Sequence, residues 1–325
     1  MTPAAKILAA MRAAVHGVSG ADLCAQLGIS RAAVWSHIES LRAAGFEIVA
    51  SPHRGYQLLN SPDALVAEDL AARLGEDCVI GSRIRVLTET TSTNDETEKA
   101  AAANSPEGLA IFAESQTAGR GRLGRQWFSP TGKGLWFSIL LRPQLPPADC
   151  TQLTAATAIA MVRAIKSVTG ITPEIKWPND LLWRGKKLAG ILTEMNAELD
   201  HVRHVIIGIG IDVNQTANDF PPELRSLATS LKLASGKTVS RAKLAVAALR
   251  ELDHDYARIL NDQFAAVASE WAAHCTTLGR EVDIQMGQRR IIGRAEALDD
   301  SGALLLRSPH GRVERVVSGD VTFAG

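Results

Sequence analysis

Glu114-Ser115-Gln116-Thr117-Ala118-Gly119-Arg120-Gly121-Arg122-Leu123-Gly124-Arg125-Gln126-Trp127 is the stretch on which the reading of this chain turns. Gly119, Gly121 and Gly124 satisfy the G-x-G-x-x-G spacing of dinucleotide-binding folds, but that motif needs a helix opening at its last glycine. Here Trp127-Phe128-Ser129-Pro130 follows, so the dinucleotide reading fails. A phosphate-binding P-loop fails too, because Arg125-Gln126 stands where Lys-Ser/Thr is required. What remains is a flexible glycine loop carrying Arg120, Arg122 and Arg125. Each guanidinium can hold two oxygens of a phosphate or carboxylate, and glycines let backbone come close to a ligand. A solvated basic surface loop is the competing reading.

Outward from the loop, strand-like runs alternate with helical ones. Strands are predicted over Ile84–Thr88, Leu109–Glu114, Leu135–Leu141, Leu188–Glu194 and Val205–Val213. Helices are predicted after Asn94, over Leu153–Val168, and from about Arg241 to Trp271. This is an α/β (α+β) domain with a mixed sheet, assigned to residues 61–275 with Asn60-Ser61-Pro62-Asp63 at its boundary.

Residues 1–60 form a separate unit. Ile7, Leu8, Met11 and Val15 make one helical face. Ser19 caps a second helix, with Leu23 and Leu27 inward. Ser30 caps a third, on which Val34, Ile38 and Leu41 align. Phe46, Ile48 and Ala50 then alternate, as do Tyr56 and Leu58, around a Ser51-Pro52-His53-Arg54-Gly55 tip. The pattern is a winged helix-turn-helix. Residues 276–325 read as short strands with turns at Met286-Gly287-Gln288, Asp299–Gly302 and Pro309-His310-Gly311, a small all-β barrel.

Of the 325 residues, 46% are hydrophobic and 22% charged, ordinary for a globular chain with a core. Lys plus Arg equals Asp plus Glu at 35 each, so any polyanion must be met locally. There is no signal-peptide pattern and no apolar run of the ~20 residues that span a bilayer. Cys24, Cys78, Cys150 and Cys275 are widely spaced and form no C-x-x-C pair, which fits reduced thiols in the cytoplasm. The eight histidines show no metal-ligand spacing.

Five segments, in order, resemble the biotin protein ligases of the repressor type. They are Thr90-Thr91-Ser92-Thr93-Asn94-Asp95, the loop Gln116–Trp127, and Lys176-Trp177-Pro178-Asn179-Asp180. Lys186-Lys187-Leu188-Ala189-Gly190-Ile191-Leu192 and Gly208-Ile209-Gly210-Ile211-Asp212-Val213-Asn214 complete the set. The likeness covers essentially the whole chain. It implies a ligase that joins biotin and ATP into biotinyl-5′-adenylate and passes biotin to a lysine of biotin carboxyl carrier protein. Ser92, Thr93, Asn94, Gln116, Arg120, Gly121, Arg122 and Lys187 would hold biotin. Gly119, Gly121, Arg122, Trp127, Lys176, Asn179, Asp180 and Asn214 would hold the nucleotide, with Asp180 touching Mg²⁺ mainly through phosphates. Lys187, Arg120 and Arg122 would be catalytic, with Lys186 exposed in an Arg184-Gly185-Lys186 turn. The segment from Phe220-Pro221-Pro222 to Ala228-Thr229-Ser230-Leu231 resembles a loop closing over adenine.

Bland readings stand beside these. Taken alone, Ser92 or Thr93 reads as a helix cap, and Lys176–Asp180 as a polar turn. The family more often has Asn where Asp212 stands, so the role of Asp212 stays open. The glycines Gly208 and Gly210 imply close approach of a ligand or backbone.

The resemblance also implies operator DNA as a partner and a homodimer when adenylate is bound. Arg31, Ser36 and Ser40 lie off the third helix's core face, and Arg54 sits at the wing tip. Five basic residues against three acidic ones in residues 1–60 leave a net of +2, weak for a monomer and in need of a second copy. A ligase with a non-regulatory N-terminal domain and a ligand-sensing transcription factor without catalysis remain as alternatives.

Overall fold

The computed structural model describes residues 1–14, 16–52, 54–198 and 201–323. The chain opens with α1 (Pro3–Ala13), α2 (Gly20–Leu27) and α3 (Arg31–Ala43), then a hairpin of β1 (Glu47–Ser51) and β2 (Gly55–Asn60). Ile7, Leu8, Leu23, Val34, Ile38 and Phe46 close a small core. The Ser19 and Ser30 hydroxyls accept hydrogen bonds from the backbone N–H groups of Asp22 and Ala33, satisfying helix-end donors that would otherwise be orphaned. Ala50, expected inward with Phe46 and Ile48, is exposed. Val15 of the expected first helix face and His53 of the hairpin tip lie outside the described residues.

An unanticipated helix, α4 (Ala67–Leu74), packs against both α1 and α8 (Arg241–Leu260). It ties the first sixty residues to the rest. Arg12 of α1 pairs with the buried Asp69 and donates to Ser61 Oγ at 2.8 Å. Beyond it, Arg241 has a side chain only 2% exposed and bonds Glu114 at 2.5 Å and Asp63 at 3.2 Å. A buried guanidinium is tolerable only with such partners.

The central sheet is built from β3 (Arg83–Thr90), β4 (Leu109–Gln116), β5 (Gly134–Leu141), β6 (Glu174–Lys176), β7 (Asp180–Trp183), β8 (Lys186–Ala197) and β9 (Val202–Asp212). Its order is β3-β4-β5-β9-β8-β7-β6. The β3–β4 pair is parallel and the others antiparallel, so the sheet is mixed as expected. Strand alternation divides its two faces. Phe112, Phe137, Ile207, Ile209 and Ile211 point to a layer of α6 (Thr151–Thr169), α8 and α9 (Phe264–His274). On the other face α5 (Thr93–Ala102) covers Ile111, Leu140 and Ile206. The positions that continue that face along β9, Gly208 and Gly210, have no side chains with which to meet α5. An open floor results.

The single helix expected from Arg241 to Trp271 is two. α8 ends at Leu260, Asp262 takes a left-handed φ of 57°, and α9 starts at Phe264. Between β9 and α8 a short α7 (Leu231–Ser235) begins at Ser230, whose hydroxyl caps it. The C-terminal strands β10 (Glu281–Met286), β11 (Arg289–Leu298), β12 (Leu304–Arg307), β13 (Val313–Val316) and β14 (Asp320–Phe323) form an all-antiparallel sheet ordered β13-β12-β11-β10-β14. Its β14 faces the central domain across the arginine loop, through contacts described below.

Candidate active site

The open floor of the central sheet is the base of a cavity of about 340 Å³. Ser92, Thr93 and Asn94 enter it from the start of α5, and Gln116 from the end of β4. Ser92 occupies the N-cap position, yet its side chain makes no capping bond. Gln116 does that work instead: its Oε1 accepts from Thr93 N at 2.8 Å and from Thr93 Oγ1 at 3.2 Å. Asn94 is buried, receiving Ser138 Oγ on Oδ1 at 2.5 Å and donating Nδ2 to Glu194 Oε2 at 2.6 Å. Hydroxyl, amide and carboxamide groups thus converge at one end of the cavity, the set a neutral ligand with both donors and acceptors requires.

The glycines of β8 and β9 have specific occupants above them. A Cβ on Gly208 would lie 2.1 Å from Asn94 Oδ1, and one on Gly210 only 2.6 Å from the Trp127 indole. Gly190 is likewise covered by that indole, at 2.9 Å. So the close approach expected at Gly208 and Gly210 is made by the chain's own Asn94 and Trp127. Trp127 stands edge-on to Trp136, with ring centroids 6.3 Å apart, and its buried Nε1 has no hydrogen-bond partner among the described residues.

The arginine loop is better tethered than a flexible surface loop. Gly121 N donates to Arg125 O at 2.7 Å and Trp127 N to Gly119 O at 2.8 Å, closing it on itself. Gly119 is required there, since a Cβ would meet Trp127 O at 2.6 Å. Arg120 pairs with Asp95 at 2.6 Å and Glu194 at 3.0 Å. Arg122 donates to Asn179 Oδ1 at 3.0 Å and to Gly319 O at 3.3 Å, and Arg125 pairs with Asp320. The last two contacts bring β14 against the cavity, whose wall includes Gly319–Thr322. Desolvation lowers the pKa of Arg122, offset in part by Asp320 and Asp180.

Lys187 lies opposite the loop. Its Nζ is 2.7 Å from Asp180 Oδ1 and 5.2 Å from the Trp127 ring. That approach is off the hydrogen-bonding direction, so the buried Oδ1 lacks a hydrogen-bond donor. Lys186 is exposed and donates to Arg225 O at 3.3 Å. The turn before it is shorter than expected: Arg184 and Gly185, with φ of 50° and 77°, form a two-residue hairpin, and Lys186 already pairs with Trp183. The backbone of Lys187 is held by the segment after Phe220, donating N–H to Leu227 O and accepting from Thr229 N, each at 2.8 Å.

Lys176 also lines the cavity, with Nζ 5.5 Å from the centre of the Phe323 ring. Asn179 lines it too and pins β8 by donating Nδ2 to Ile191 O at 2.7 Å. Asn214, expected at the nucleotide, is turned away: both ends of its amide bond the backbone of Val239, each at 2.9 Å, and it is not in the lining. Asp212 is buried beside this position and accepts from Gln215 Nε2 at 2.5 Å. Burial pushes its carboxyl pKa well up, against the smaller pull of Gln215 and the Lys187 charge. Asp95, Glu194 and the Gly319–Thr322 wall were not found from the sequence. Glu194 was within reach, since Gly190, Leu192 and Glu194 alternate onto one face.

A model of the biotin/lipoate A/B protein ligase family matches residues 84–212, one of an HTH domain residues 4–57, and one of a biotin protein ligase C-terminal domain residues 277–323. The bifunctional ligase/repressor BirA of Bacillus subtilis (strain 168) is 40% identical over 304 residues, 94% of this chain and 93% of that one. The chain belongs to the biotin protein ligases. The BirA of Escherichia coli (strain K12), also named a bifunctional ligase/repressor, is 31% identical over 94% of this chain and 92% of its own length. Among solved structures, the Aquifex aeolicus ligase in complex with biotin and ATP superposes with a TM-score of 0.63 at 30% identity. It covers 74% of this chain and 98% of that one. For this ligase the expected Ser92, Thr93, Asn94, Gln116, Arg120, Gly121, Arg122, Trp127, Lys176, Asn179, Asp180 and Lys187 all line one cavity.

Proposed function

We propose that the chain is a biotin protein ligase that condenses biotin with ATP and transfers the biotinyl group to a lysine of a carrier protein, and that its helix-turn-helix makes it a repressor. The observation that carries the ligase reading is the meeting of Lys187 and the arginine loop across a cavity whose far end holds Asn94, Thr93 and Gln116.

A carboxylate and a triphosphate repel, so the first task is to neutralise charge. Lys187, Arg120 and Arg122 supply three cations, two of them already fastened to acids that an incoming anion can replace. The biotin carboxylate attacks the α-phosphorus, forming an O–P bond as pyrophosphate leaves. Holding the two reactants in line supplies most of the acceleration. The acceptor lysine, as a free amine, then attacks the mixed anhydride, and AMP departs with the bonding pair. Trp127 and the loop exclude water between the steps. Asp180 suits Mg²⁺ because it brings a carboxylate to the cavity wall, where it now pairs with Lys187 at 2.7 Å, and this ion leans mainly on substrate phosphates; bound there it would offset phosphate charge.

In this reading residues 1–60, 61–275 and 276–325 are the DNA-binding, catalytic and C-terminal domains. Arg31, Ser36, Ser40 and Arg54, exposed on α3 and the wing, face operator DNA. Adenylate promotes a homodimer, which presents two such surfaces and compensates for the low charge of each. The four free thiols suit the reducing cytoplasm.

Exchange of labelled pyrophosphate into ATP that depends on biotin is the test of the enzyme. Exchange driven equally by lipoate, or none, sinks the assignment. Operator binding measured with and without biotinyl-adenylate tests the repressor, and identical titrations refute it.

A further inference from the structure

Trp35 is the one tryptophan of six that the fold leaves exposed, at 59% of its surface. It is the fifth residue of α3, on the side away from the Val34, Ile38 and Leu41 core face. A lone apolar residue on a surface is ordinary, but the neighbours here are specific. Arg31 lies one turn before it, Ser36 is adjacent, and both are exposed. Glu39, one turn after Trp35, is paired with Arg42 at 2.7 Å. Arg54, also exposed, is carried on the wing, whose tip packs beside the start of α2. The exposed side of α3 therefore offers one arginine unpaired among the described residues, Arg31, the hydroxyls of Ser36 and Ser40, and a large ring among them, which complements a polyanion that also offers apolar edges. Duplex DNA is that partner.

We propose that Trp35 reads base sequence in the major groove by seating its indole against a thymine. This rests on the DNA-binding reading above and adds the chemistry of what is read. An indole has one N–H donor and no acceptor, so it rejects edges that present only donors, such as the cytosine amino group. Its broad apolar face gains most where a methyl group projects. Thymine alone offers both, through O4 and the C5-methyl. The position suits the task, because helix-turn-helix proteins touch base edges with the first turns of the second helix of the motif. Arg31 and Arg54, by contrast, suit phosphates and fix register without selecting sequence.

The experiment uses the full chain with biotin and ATP. Preferred duplexes are first selected from a random pool, and each thymine of the selected site is then replaced by uracil, which removes only the methyl. Trp35→Ala should weaken binding to the selected duplex by roughly tenfold or more and leave random-sequence duplex within about twofold. One uracil position should weaken the wild type several-fold and Trp35→Ala not at all, while Trp35→Phe keeps part of the methyl effect. Thermal melting confirms that the variants are folded. Equal loss on selected and random duplex overturns the proposal, as does a uracil penalty that survives in Trp35→Ala or loss of the dimer in Trp35→Ala. A wild type that selects no sequence refutes the repressor reading itself and this assignment with it.

Discussion

Replacing Gly208 by alanine tests whether the biotin end of the cavity is built as described. The added Cβ falls 2.1 Å from Asn94 Oδ1, 2.9 Å from its Cγ and 3.1 Å from its Nδ2. The backbone there is ordinary strand, so the whole strain lies in this contact. Asn94 must leave, and with it go the bonds to Ser138 Oγ and Glu194 Oε2. One is a neutral bond worth about 1 kcal/mol and the other, to a charged acceptor, about 2 kcal/mol. Alanine returns about 0.5–1 kcal/mol of backbone entropy relative to glycine. The net loss is about 2 kcal/mol, measured by urea denaturation of the two proteins. The KM for biotin in pyrophosphate exchange should rise at least ~10-fold, since each ~1.4 kcal/mol of lost contact is a factor of ten. The decisive comparison adds Asn94→Ala. With the carboxamide already gone, Gly208→Ala should cost almost nothing more in stability, a strong departure from additivity. Additive losses, or a Gly208→Ala protein with unaltered stability and KM, refute the picture of Asn94 seated on the strand.

Lys187→Met should leave stability within about 1 kcal/mol, because its pair with Asp180 is part-exposed. It should slow pyrophosphate exchange by ~2 orders of magnitude or more, as loss of a charge aimed at the reacting oxygens does. Lys186→Met should be silent, and near-normal exchange in Lys187→Met would discard the assignment. Asp212 gives a pH signature. Its proton is held more tightly in the folded chain than in the unfolded one, whose pKa is near 3.8. Stability therefore falls as pH rises from that value toward the raised folded pKa, and stays low above it. Asp212→Asn removes the penalty, so its advantage over wild type in thermal melts should widen as pH rises above the unfolded pKa of 3.8 toward the raised folded one. An advantage that narrows contradicts the burial argument.

Much of this architecture was legible because strand alternation and helix caps leave local marks. Ser19 and Ser30 cap where expected, and the five expected strands appear. Other features depended on partners far along the chain. Nothing near Asn214 announces that Val239 will take both ends of its amide. Asn261-Asp262-Gln263 breaks α8 from α9 without Gly or Pro, through a left-handed aspartate that composition does not mark. The helix α4 was missed although its buried Asp69 has arginines on either side, because one of them, Arg12, is 57 residues away. The glycines of β9 were read correctly as points of close approach but not as seats for Asn94 and Trp127. Periodicity shows which face a residue takes, and only the folded chain shows what arrives there.

The fastening of α4 and Arg241 bears on how the molecule comes apart. The N-terminal region closes its core on ten buried apolar side chains, with Val66 and Ala72 leaning in from beyond it. Sixty residues on so small a core are marginal by themselves. Here their unfolding would strip Arg12 from Asp69, a carboxylate 3% exposed, and leave it with Arg73 of its own helix as partner. The joint thus makes the melting of one region a cost to the other. Free energy gained by ligands in the cavity is shared with the helices that face DNA, and whatever steadies one end of the chain steadies both.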